Sequence, residues 1–206
     1  MSQQLINAIA DYENYIQNKG IDEEIIDAYV QACTVAIKTE NDRKYGLAIS
    51  ARAKELIEQL VFELTNGTFW QLERYAQENG LSYGLVDKYY ELLKLESFDL
   101  LTSFIHYMEK NRPYSKRFYQ PRQKTLSIVA NDLQTLEDNP IKFQGISQPS
   151  RTGKSTICIL FLLWIAMKRP NSHSAMGGHS GILAKGFYKE LLNMMTSEEY
   201  TFKELF

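Results

Sequence analysis

The chain has 206 residues, a formal net charge of −2, and hydrophobic side chains at 44% of its positions. That much apolar material can build a core and excludes a disordered chain, and the length allows one or two domains. The near-neutral charge excludes a global basic field for nucleic acid, so any contact with DNA must be local. Two cysteines, Cys33 and Cys158, make neither a disulfide framework nor a zinc site, and they suit a reducing compartment.

The amino-terminal residues lack the basic flank and long apolar core of a signal peptide, so secretion is not expected. From Ser2 to about Asn18, Leu5, Ile6, Ile9, Tyr12, Tyr15 and Ile16 recur at helical spacing, and Gly20 ends the pattern. Asp22 caps a second helix running to about Lys38. A third, carrying Leu47, Ile49, Leu56, Ile57 and Leu60, stops before Asn66 and Gly67. Thr68 caps a fourth that Gly80 closes, Ser82 starts a fifth, and Phe98 to Met108 forms a sixth before Pro113. Nothing here alternates with period two, so residues 1–112 read as an all-helical module. His106, beside Phe104 and Tyr107, reads as a hydrogen-bonded structural histidine, since no ligand cluster accompanies it.

Lys110 to Arg117, with Arg122 and Lys124, is the one basic concentration of the sequence. It is either a contact for nucleotide or DNA phosphates or a solvated linker. Gln120 to Glu137 has helical spacing, and Asp138-Asn139-Pro140 turns the chain. Ile141 to Ile146 is a short apolar-alternating run that suits a buried strand. A polar turn, Ser147 to Gly153, then leads into a long apolar helix that Lys154 opens. Its core, Ile157 to Met167, is too short to span a bilayer. Ser174 to Gly178 reads as a second strand, and His179-Ser180 leads into a helix to about Met195, either facing phosphate or DNA or capping that helix. The expected fold class is therefore α/β. The helical module is followed, over 113–206, by two strands and flanking helices that open a P-loop parallel-sheet domain.

Strand, polar loop and helix is the context in which a Walker A match acquires meaning. Gln148, Pro149, Ser150, Arg151, Thr152, Gly153, Lys154, Ser155 and Thr156 form the candidate loop, with Gln148 standing where GxxxxGK[S/T] asks for glycine. Backbone N–H groups of the turn and first helical turn can cradle phosphate oxygens. Lys154 would reach the β- and γ-phosphates, and the Ser155 hydroxyl would complete a Mg²⁺ shell. The plainer alternative is a loop with a helix-capping serine and a surface lysine.

Ser147 to Thr156 resembles the phosphate loop of the large subunit of tailed-phage terminases, ATPases that drive DNA into capsids. In that family an arginine often lies inside the loop and the first glycine is often replaced, as Arg151 and Gln148 are here. Met176 to Ser180, Gly186 to Glu190 and Glu198 to Phe206 are similar to later segments of one group of these proteins, so the likeness runs from about Phe118 to Phe206. Phe118 to Gln123 resembles their adenine-recognition segment. There, Tyr119 or Phe118 could stack on the base and Gln123 or Gln120 could bond its edge, or the two rings could simply be a core pair before Pro121. The resemblance also implies that Arg151 is an arginine finger or a sensor paired with an acid. It implies ATP and Mg²⁺ as cofactors. Duplex DNA, a small terminase subunit and a portal would be the partners of an oligomeric motor in the cytoplasm of an infected bacterium. A helicase-like P-loop ATPase fragment, or a non-enzymatic helical interaction module with a truncated P-loop tail, are the alternatives.

An ATPase of this class needs a second strand ending in Asp and Glu, and no apolar run followed by paired acids occurs after Gly153. The acids there are Glu190, Glu198, Glu199 and Glu204, and the acidic two-metal cluster of a nuclease is missing. The sequence thus reads as a helical module and the opening of an ATPase core. The 206-residue chain is expected to show no ATP turnover by itself, and Lys154-dependent phosphate release from the purified protein would overturn this.

Overall fold

Why the helices start and stop where they do is visible in their ends. In the computed structural model, which describes residues 3–139, 143–149 and 151–205, helix α1 spans Gln3–Lys19 and α2 spans Glu23–Lys38. The Asp22 side chain caps α2 by accepting from the Ile25 N–H at 2.9 Å. Helix α3, Arg43–Thr65, ends at Asn66 in the left-handed conformation. Helix α4, Phe69–Asn79, opens with a capping box in which Thr68 and Gln71 exchange hydrogen bonds, and it closes at left-handed Gly80. Helices α5, Gly84–Glu96, and α6, Leu101–Met108, follow. Then come α7, Gln123–Asp138, α8, Lys154–Lys168, and α9, Gly181–Thr196.

Packing divides the chain into two units, Met1–Glu96 and Ser97–Phe206, so α6 belongs to the second unit and not with the helices before residue 112. In the first unit α2 packs along α3, with Ile26, Tyr29, Cys33, Leu56 and Ile57 removed from solvent. Gly46 allows the close approach: a Cβ there would come within 2.6 Å of Ile37 Cγ1 and 2.9 Å of its backbone nitrogen. Burial pushes the Cys33 thiol up to about 11, so it behaves as a small apolar side chain. Helix α1 has no fully buried residue. It is held by a polar triad in which Glu13 accepts from the Tyr29 hydroxyl at 2.6 Å and from Arg52 at 2.8 and 3.0 Å. Phe69 stacks on Tyr89 with ring centroids 3.9 Å apart, and Lys54 pairs with the buried Glu96 at 2.7 Å.

The second unit is built around α8. Its Ile157, Ile159, Leu160, Leu163 and Trp164 are buried against α6, α7 and α9. The carboxyl-terminal residues hook onto α6: Thr201 donates through its N–H to the Met108 carbonyl and through its hydroxyl to that of Tyr107, and the Tyr107 hydroxyl donates to Glu204. Among the described residues no helix is long and apolar enough to cross a membrane.

The α/β expectation is overturned: the described residues contain helices and turns but no strand and no sheet. Of the first expected strand, Ile141 and Lys142 lie outside the described residues, as does Pro140. Phe143 to Ile146 forms no ladder, and Phe143 is 84% exposed. Ser174 to Gly178 likewise has no partner strand. The physical reason is that an alternating pattern is a capacity for pairing, and a strand exists only when a neighbour satisfies its backbone groups.

The close α2–α3 contact yields a direct test. Gly46→Ala should destabilise the chain by about 1–3 kcal/mol in urea denaturation, because neither the Ile37 backbone nor α3 can move aside cheaply.

Candidate functional site

The candidate loop owes its position to the helix behind it. Burial of the apolar faces of α8 fixes that helix, and the Trp164 indole locks it by donating to the Ser97 carbonyl at 2.8 Å. Its first turn therefore presents Lys154, Ser155 and Thr156 at a defined place. The residue before it, Gly153, has φ of +98° and supplies no side-chain cap, which leaves this helix start open to an external acceptor.

Within the loop, Arg151 is exposed and also lies in the left-handed region, with φ of +65°. The Thr152 hydroxyl donates to the Pro149 carbonyl at 2.9 Å and lies 3.2 Å from the side-chain amide of Gln148. The Lys154 amine donates to the backbone carbonyl of Gln148. Ser155 is exposed, whereas the Thr156 hydroxyl turns toward α9 and donates to Glu190 at 3.1 Å. Ser150 lies outside the described residues. Glu190 thus stands nearest the loop among the acids that follow it, a placement no sequence pattern announced. Among the described residues no group of three or more His, Cys, Asp or Glu side chains could hold a metal ion.

The aromatic segment is positioned by a buried carboxylate. Glu109, 3% exposed, accepts the backbone N–H groups of Phe118 at 2.7 Å and Tyr119 at 2.8 Å. Tyr119 is entirely buried, edge-on to His106 with centroids 4.9 Å apart, and burial pushes its hydroxyl up to about 12. It is a core ring, out of reach of a nucleotide base. Phe118 is the ring beside the loop. It lies so close to Gly153 that a Cβ there would be 2.3 Å from its edge, and Arg122 sits over its face, 5.6 Å from the centroid. Gln120 places its side-chain oxygen in a buried position with no partner among the described residues, and Gln123 is exposed at the start of α7.

Most of the basic concentration is consumed by the fold. Arg117 is buried and donates to the carbonyls of Arg112 and Lys110. Lys116 pairs with Glu199 at 2.8 Å and Arg112 covers the Tyr200 ring. The hydrogen bond from Lys116 holds the Glu199 carboxyl below its ordinary value. His106 packs in the core, and Ser180 caps α9 by accepting from the Leu183 N–H. His179 is exposed.

Comparison of the chain with models of protein families, with characterised proteins and with solved structures gives no match. The likeness of Ser147 to Thr156 to a phosphate loop therefore stands on those residues and their geometry.

Gly153 concentrates two constraints, its left-handed backbone and its contact with Phe118. Gly153→Ala should cost about 1–3 kcal/mol. Adding Phe118→Ala should remove the steric part, so that the double variant is less destabilised than the sum of the single ones in a denaturation cycle.

Proposed function

We propose that residues 147–149 and 151–156 bind the phosphates of ATP with Mg²⁺, and that the chain is an ATP-binding portion of a terminase-like large subunit. The observation that carries the reading is the Lys154 amine. It folds back over its own loop at the open start of a rigidly buried helix, a place where backbone dipoles and a cation converge. Lys154 would hold the terminal phosphates, the exposed Ser155 hydroxyl would face the cation, and Arg151 would reach developing charge. Phe118, as the accessible ring beside the loop, is the better placed of the aromatic pair to meet a base. Bound ATP would supply the phosphoryl transfer that drives movement of duplex DNA. The small terminase subunit, a portal and further copies of the motor subunit are the partners this reading implies, in the cytoplasm of an infected bacterium. The reading rests on the loop and its residues and no longer draws on a sheet.

A second reading has its own observation. Helix α9 buries only Met194 fully, while Ile182 is 87% and Tyr188 62% exposed, beside an apolar groove of about 250 Å³ floored by Leu163, Phe187 and Leu191. Such a surface suits a helical interaction module.

Titration of the purified chain with a fluorescent ATP analogue in Mg²⁺ separates the two. Binding that Lys154→Ala weakens by at least about tenfold is expected, the scale of a lost charge-assisted hydrogen bond. Equal binding by both proteins would remove the phosphate reading. No binding by either would leave the interaction module.

A further inference from the structure

The loop is fastened to itself by side chains that a phosphate-binding loop does not need for its ligand. The Lys154 amine spends a donor on the Gln148 carbonyl, and the Thr152 hydroxyl bridges the Pro149 carbonyl and the Gln148 side-chain amide. A glycine at position 148, which the general pattern would have, possesses no amide for Thr152 to meet. Between these contacts Arg151 is held at φ +65°, a conformation that an L side chain adopts only when its surroundings impose it.

We infer that Gln148 and Thr152 form a latch that keeps Lys154 turned onto the loop's own backbone, so that nucleotide binding requires the latch to open. This inference rests on the phosphate-loop reading and concerns the regulation of that site. The Gln148 carbonyl oxygen occupies the amine that a phosphate oxygen would take. A phosphate is the stronger acceptor because it is charged, so it displaces the carbonyl, and its apparent affinity is lowered by the stability of the closed loop. Thr152 pins residues 148 and 149 so that this carbonyl faces Lys154. The left-handed Arg151 stores strain that opening releases, which gives the loop two discrete arrangements.

The test uses the full chain and two surface variants, Thr152→Val and Gln148→Ala, with two readouts. The first needs no ligand: limited trypsin digestion, with mass-spectrometric quantification of the cut between Arg151 and Thr152. A latch predicts cleavage several-fold faster in both variants, with the overall helix content unchanged. The second is affinity for the fluorescent ATP analogue in Mg²⁺, expected to tighten about fivefold, the factor that one net hydrogen bond is worth. Unchanged cleavage in both variants overturns the latch. Faster cleavage with unchanged or weaker nucleotide affinity overturns its opposition to binding. Faster cleavage with no nucleotide binding by any of the three proteins shows a closed loop but removes the phosphate reading and the regulatory role with it.

Discussion

Helix α8 is apolar around most of its circumference, and exclusion of that surface from water governs the second unit. Ile157, Ile159, Leu160, Leu163 and Trp164 need neighbours on several sides, and α6, α7 and α9 provide them. The Trp164 indole then finds its one hydrogen-bond acceptor in the Ser97 carbonyl, which sets the rotation of the helix. A helix fixed in this way has a fixed first turn. The open backbone of Gly153 and the cation of Lys154 are consequences of where the apolar stripe lies.

Around that helix the polar groups are used to place loops. The buried carboxylate of Glu109 takes two backbone N–H groups from the segment 118–119, and this draws Phe118 against Gly153. A buried carboxylate without such donors would be costly, so the segment and Glu109 stabilise one another. Glu199 and the carboxyl-terminal hook complete the arrangement by engaging Arg112, Lys116 and α6. The basic residues between 110 and 122 are therefore largely architectural, with few left to face an external polyanion.

Helix α9 marks the limit of this enclosure. Its Ser180 cap and its apolar spacing make it a helix, yet it meets α8 along one edge and leaves Ile182, Tyr188 and Leu192 in contact with water. The groove between the two helices is apolar and shallow. Unlike the core around Trp164, it has no buried polar group to specify a partner's orientation.

Local chemistry made much of this legible in advance. Asp22, Thr68 with Gln71, Gly80 and Ser180 act through bonds to residues within a few positions, so the helix ends they mark could be read from the chain itself. The placing of Lys154 at the start of an apolar helix was equally local. The strands were not decided locally, because period-two alternation at Ile141 to Ile146 and Ser174 to Gly178 becomes a strand only when another segment supplies the other half of the ladder. The sequence also left Phe118 and Tyr119 equivalent. The tertiary structure separated them, because Glu109 turns one ring into the core beside His106 and the other onto the loop. Glu190 beside Thr156, and Gln148 beneath Lys154, were beyond reach for the same reason: contacts between residues distant along the chain, or across an irregular loop, depend on how the helices pack and not on spacing.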